Sequence, residues 1–140
     1  MQKEKQLNVP YAQQETPYFC GPATLSLVAK YFGIERSQSE LAALAGTNDV
    51  VGTTCASMLW TGRFLGLWAF ESWHATTDDL RAIIDAGVPP IIYVYEEDVP
   101  DYGHGILDHM HFYVVTGYAS GSFSIHDTDP ALDGGSFRDR

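Results

Sequence analysis

The stretch QQETPYFCGPATLSLVAKYFG, residues 13–33, decides how this chain is read. It sets Cys20 directly before Gly21-Pro22 and then places Leu25, Val28, Ala29 and Phe32 at helical spacing. Pro22 suits the first helical position, where a missing N–H costs nothing, and Gly33 supplies the stop. The thiol therefore stands at a helix N-terminus, beside unpaired N–H groups and about half a positive charge. Such a place favours the thiolate, the nucleophilic form of cysteine. A buried structural cysteine gains nothing there. Gly21 leaves space for a substrate backbone, and the N–H groups around it suit an oxyanion.

The rest of the composition sets bounds. With 140 residues the chain fits one domain, and 45% hydrophobic with 13% aromatic residues is enough for a packed core. Eighteen acidic against eight basic residues give a net charge of −10. That argues against nucleic acid or an anionic membrane surface as partner, and for neutral or basic substrates. No run approaches the roughly 18 apolar residues of a membrane span. The start, MQKEKQLNVP, carries charge with no apolar run behind it, so a cytoplasmic protein without a signal peptide is expected. Secretion after removal of a leader leaves the same sequence. The two cysteines, Cys20 and Cys55, are too few for a disulfide scaffold and lack zinc-ligand spacing. Cys55, in GTTCASMLW, reads as a small buried hydrophobe, with a disulfide to Cys20 or a reactive second thiol as the alternatives.

Patterning divides the chain. Ser37 and Glu40 form a capping box for a short helix ending near Gly46, residues 53–66 read as a third helix, and TTDDLRAIIDAG reads as a fourth, ending at Gly87. LWAFES, 67–72, reads as a strand. Residues 89–97, 111–119 and 122–127 are rich in β-branched and aromatic residues and read as strands, the last two joined through a hairpin turn at ASGS. Residues 97–108 read as a polar loop, and the tail TDPALDGGSFRDR, which shows no periodicity, as a frayed or cut end. The fold class expected is α+β, a helical lobe followed by an antiparallel sheet in one domain.

A cysteine nucleophile needs a base, and the base needs an orienting acceptor. His111 begins HFYVVTGY, and Asp127 ends SFSIHD. If these strands pair through ASGS, the start of one lies beside the end of the other, and His111 and Asp127 become cross-strand neighbours.

Taken in order, VPYAQQETPYFCGPATLSLVAKYFG, ELAALAGT, GTT, LRAIIDAGVPPII, HFYVVTGY and IHDTDP resemble the double-glycine leader peptidase-like family of papain-clan cysteine proteases. The resemblance covers residues 8–130. It implies a papain-like fold and thiol-dependent hydrolysis of peptide bonds, with Cys20 as nucleophile, His111 as general base and acid, and Asp127 as the orienting carboxylate. It also implies Gln14, six residues before the cysteine, as the oxyanion-hole side chain. A peptide or protein substrate follows, cut after Gly-Gly or small residues, with no cofactor. The family reads Asp-Pro at the third position, so Asp129-Pro130 competes with Asp127, and Gln13 neighbours Gln14. A catalytically silent peptide-binding module and an acyltransferase share the same residues. The loop here is longer than the family's. Its acids, with Glu96, Glu97, Asp98, Asp101 and Asp108, point to basic substrates.

Rival readings are weaker. His109, His111 and His126 with nearby carboxylates could hold a transition metal, but their spacing is loose and no native metal is expected. His104 and His74 read as surface residues. Trp60, Trp68, Trp73, Tyr93 and Tyr95 read as core or cleft wall. Gly134-Gly135 invites comparison with cleavage after paired glycines, against the plainer reading of a flexible end.

Overall fold

The computed structural model describes residues 3–96, 110–129 and the backbone of 135–137. Glu97, Asp98, Asp101, His104, Asp108, His109 and Gly134 lie outside the described residues.

Four helices form where caps and apolar spacing coincide. Helix α1 (Cys20–Tyr31) buries Ala23, Leu25, Leu27, Val28 and Ala29. It begins two residues earlier than Pro22 suggests, with Phe19 before it and no side-chain cap. Helix α2 (Gln38–Ala45) starts where Ser37 accepts from the Glu40 N–H at 3.1 Å, and ends at Gly46 with φ of 66°. Helix α3 (Cys55–Phe64) is capped by Thr54, and α4 (Thr77–Asp85) by Thr76. In α4 the box is reciprocal: Asp79 N–H donates to Thr76 Oγ1 at 3.2 Å and Thr76 N–H to Asp79 Oδ2 at 2.8 Å. The Thr76 N–H, and after it the Thr76 hydroxyl, hold the Asp79 carboxyl below its ordinary value. Removing the cap oxygen in Thr76→Ala should cost about 1 kcal/mol. The check is the urea midpoint, which falls at constant slope if the cap forms and stays put if the helix end is frayed.

The sheet is antiparallel and centred on one long strand. Strand β3 (Met110–Ala119) pairs with β2 (Ile91–Tyr95) over its first half and with β1 (Glu4–Gln6) over its second. Its other edge takes β4 (Ser122–Asp127), which in turn takes β5 (Gly135–Phe137). The β3–β4 turn is Ser120-Gly121, with φ of 50° and 84°, the left-handed pair of a tight hairpin turn.

Three expectations are corrected here. Residues 67–72 form no strand: Trp68 is 91% exposed, and the segment folds back on α3 instead of pairing. Leu67 N–H donates to Gly62 O at 3.1 Å, and Arg63 Nε to Ala69 O at 3.0 Å. Alternating side chains without a partner edge do not make a sheet. The tail, read as frayed, contributes β5, with Gly135 opposite Asp127. Trp60 and Trp73, expected in the core or cleft wall, are also largely exposed.

The core lies in two clusters. One joins α1 and α4 to the sheet through Leu27, Val28, Ile84, Tyr113, Val114 and Val115. The other, Leu25, Leu41, Met58 and Phe112, lies under the N-termini of α1 and α3. Leu41 is wholly buried and contributes on the order of 2 kcal/mol by leaving water. This second cluster seats Cys20.

Candidate active site

Cys20 is the first residue of α1 and is half-buried. Its sulfur takes hydrogen bonds from the backbone of Phe112 and of Gly21. The Phe112 contact puts the thiol one residue from His111. The contact is possible because β4 and β3 pair only from Val114 onward, so the beginning of β3 has an edge the β4 ladder does not cover.

Strand alternation then assigns the side chains. Phe112 stacks on Tyr93, with ring centroids 4.4 Å apart, and both face the cluster around Leu25 and Met58. His111, 9% exposed, points to the opposite face with Tyr113, their rings 6.3 Å apart. Asp127 shares that face. Val114 pairs with His126, so Asp127 stands opposite Tyr113, two residues along from His111. The pair is diagonal rather than directly opposed, a distance long side chains can span. The start of β3 thus carries His111 and, opposite Tyr113, Asp127 on one face, and offers the Phe112 backbone to the thiol.

Asp127 is 2% exposed and its Oδ1 accepts from the Asp129 N–H at 2.9 Å. Its backbone carbonyl accepts from Tyr11 OH at 2.8 Å. Asp129 is less buried, and its backbone serves the Asp127 carboxylate. Tyr11 and the Asp129 N–H were not singled out by sequence; only the doubled acid in HDTDP hinted at such support.

Gln14 is buried and Gln13 exposed, which separates the two glutamines. Gln14 Nε2 donates to Thr16 O at 2.9 Å and Pro17 O at 3.1 Å, and its Oε1 accepts from Thr128 Oγ1 at 3.1 Å. Its backbone N–H donates to Thr128 O at 2.8 Å. The side chain therefore clamps the approach to α1 against the residue after Asp127. Both amide hydrogens are already engaged.

Two details differ from expectation. Burial pushes the Cys20 thiol above its ordinary value, the two backbone hydrogen bonds pull it down less, and the charges of Asp129 and Asp127 raise it further. Desolvation outweighs the helix N-terminus. The space beside Gly21 is occupied by this chain, since a Cβ there would lie 2.7 Å from Thr53 Cβ and 3.2 Å from Met58 Sδ. Gly21 lets α1 and α3 approach. His126, weighed as a metal ligand, has Nε2 2.9 Å from Val9 O and an edge-on contact with Tyr11. Among the described residues no cluster suited to a metal occurs.

The helices and antiparallel sheet form the papain-like architecture of cysteine peptidase domains. A profile of the Peptidase_C39 like family matches residues 6–138, and the chain belongs to that family. The Lactococcin-A transport/processing ATP-binding protein LcnC of Lactococcus lactis subsp. lactis is 30% identical over 123 residues, 87% of this chain and 15% of that protein. An LcnC-like lactococcin transport/processing protein of strain IL1403 is 32% identical over 124 residues, again 87% and 15%. The chain thus spans only 15% of the length of these curated relatives. The peptidase domain of Streptococcus ComA, a bi-functional ABC transporter involved in a quorum sensing pathway, superposes with a TM-score of 0.68 at 28% identity, over 90% of this chain and 83% of that one. A double glycine motif protease from an AMS/PCAT transporter, solved in complex with the leader peptide, gives 0.70 at 18% identity, over 99% and 85%. At that identity it speaks for the fold alone. Among the described residues no helix is long and apolar enough to cross a membrane.

Proposed function

We propose that this chain is a cysteine peptidase that hydrolyses peptide bonds through Cys20, His111 and Asp127. The observation that carries the reading is the arrangement at the start of β3: a thiol hydrogen-bonded to the Phe112 backbone, a histidine one residue away, and a buried carboxylate on that histidine's face. Family membership supplies the reaction class.

In this mechanism His111 removes the thiol proton as the sulfur attacks the carbonyl carbon, since burial raises the thiol above its ordinary value. The carbonyl electron pair moves to oxygen, held by the Cys20 N–H. Gln14 joins only by exchanging one of its carbonyl partners. Collapse breaks the C–N bond, and His111 returns its proton to the departing amine. Water, deprotonated by His111, then attacks the thioester and releases the acid. Asp127 keeps the imidazole in the tautomer these transfers require. The chain's charge of −10 favours neutral or basic peptides, and the resemblance to double-glycine leader peptidases makes Gly-Gly before the cut the first sequence to try.

The test is incubation with peptides carrying paired glycines in neutral, basic and acidic settings, with products located by mass spectrometry. Cleavage at one bond, fastest for the basic peptide, supports the proposal; intact peptides throughout sink it. The raised thiol also favours one second reading, a peptide-binding module without chemistry. Alkylation of Cys20 by iodoacetamide against pH bears on both. Since the thiol is pushed up, its thiolate fraction at neutral pH is small, and the rate should climb through a midpoint above the ordinary value of 9.0. A midpoint well below this value, abolished in His111→Ala, would instead reveal a preformed thiolate–imidazolium pair.

A further inference from the structure

Cys55 has no part in the mechanism above, yet its position ties it to Cys20. Each cysteine is the first residue of a helix, Cys20 of α1 and Cys55 of α3, and both are free and half-buried. Both pack against one cluster, Leu25, Leu41, Met58 and Phe112. The helix starts touch: a Cβ on Gly21 would meet Thr53 Cβ at 2.7 Å and Met58 Sδ at 3.2 Å. The residue after Cys20 thus lies against residues two before and three after Cys55. Tyr93 packs on the same cluster, and its hydroxyl feels the charge of both sulfurs.

We propose that Cys55 is a resolving thiol for Cys20, so that oxidation by a hydroperoxide joins the two in a disulfide and closes the site reversibly. The effect on activity rests on the reading of Cys20 as nucleophile; the disulfide itself does not. In the first step the Cys20 thiolate attacks the peroxide O–O bond, forming a sulfenic acid and releasing hydroxide, which takes up the thiol's proton as water. In the second, the Cys55 sulfur attacks the sulfenic sulfur. The S–O bond breaks, the Cys55 proton goes to the departing oxygen, and a second water leaves. Two thiols are oxidised and one peroxide is reduced. Without a neighbouring thiol, a sulfenic acid goes on to the sulfinic and sulfonic states, which a dithiol does not reverse. Cys55 therefore converts a terminal lesion into a switch.

The experiment treats the intact chain with hydrogen peroxide and reads mass, thiol content and linkage. Wild type should lose two hydrogens and both alkylatable thiols, yield a linked Cys20–Cys55 peptide, and return to the reduced mass with dithiothreitol. Cys55→Ser should gain oxygen at Cys20 and not recover; Cys55→Ala serves if the serine variant fails to fold. Oxygen adducts without a linked peptide in wild type, or linkage between chains only, overturn the proposal. If the disulfide forms but reduced protein cleaves no peptide, the peptidase reading fails and the redox pair stands. If peptides are cleaved and no disulfide forms, the pair fails alone.

Discussion

Peptide hydrolysis should fall by at least about a thousandfold in Cys20→Ala, the loss expected when a covalent nucleophile is removed and only binding and oxyanion contacts remain. Structure argues that this loss would be chemical. Cys20 is half-buried at the first position of α1, and alanine there keeps the helix and leaves the cluster of Leu25, Leu41, Met58 and Phe112 largely intact. The change in stability should stay within about 1 kcal/mol. His111→Ala should cost nearly as much activity, because groups acting as a unit are not additive. Asp127→Asn should cost less than either, since it leaves nucleophile and base in place and disturbs only tautomer control. Turnover on one basic Gly-Gly peptide, with thermal melts of every variant, is the measurement. Full activity in Cys20→Ala would place the chemistry elsewhere; no activity in wild type would leave a binding module.

The parts of this molecule legible in the sequence are those where local chemistry and tertiary contact agree. Ser37, Thr54 and Thr76 each cap a helix by accepting from the N–H three residues on, and Gly46 closes α2 in the left-handed region. The Ser120-Gly121 turn placed β3 beside β4. Strand β1 was not legible, because Glu4–Gln6 is polar and exposed and becomes a strand only by borrowing the edge of β3 at Gly117–Ala119. Residues 67–72 failed in the opposite sense, alternating like a strand with no edge to pair with.

Register explains the diagonal placement of His111 and Asp127. Strand β3 has 10 residues and β4 has 6, so β4 ends before it draws level with His111. An irregularity between Val115 and Gly117 moves Asp127 one residue nearer, from opposite Val114 to opposite Tyr113. That step puts Asp127 on the face of Tyr113 and His111; in the unshifted register it would share the face of Val114. Ionisation was less legible still. A helix N-terminus is visible in CGPATL, but the burial that raises the thiol comes with packing against the cluster of Leu25, Leu41, Met58 and Phe112, which only the fold assembles.

Gln14→Ala should lower stability by about 3 kcal/mol, from three side-chain hydrogen bonds worth about 1 kcal/mol each. In a chain of 140 residues that corresponds to a melting temperature lower by about 10 °C. The bonds lost are those from Nε2 to the carbonyls of Thr16 and Pro17 and that from Thr128 Oγ1 to Oε1. The first two brace residues 14–17, which lead into α1, and the third ties them to the residue following Asp127. Gln14→Glu should be at least as damaging, because a carboxylate would face two carbonyl oxygens with no hydrogen to offer. An oxyanion donor alone behaves differently: its removal lowers kcat by about a hundredfold or more and leaves the melt unchanged. Measuring melt and kcat on the same two variants separates the roles. A depressed melt with activity lost in proportion to unfolding assigns Gln14 to the clamp. An unchanged melt with kcat reduced would mean that the amide turns from Thr16 and Pro17 toward the substrate when one is bound.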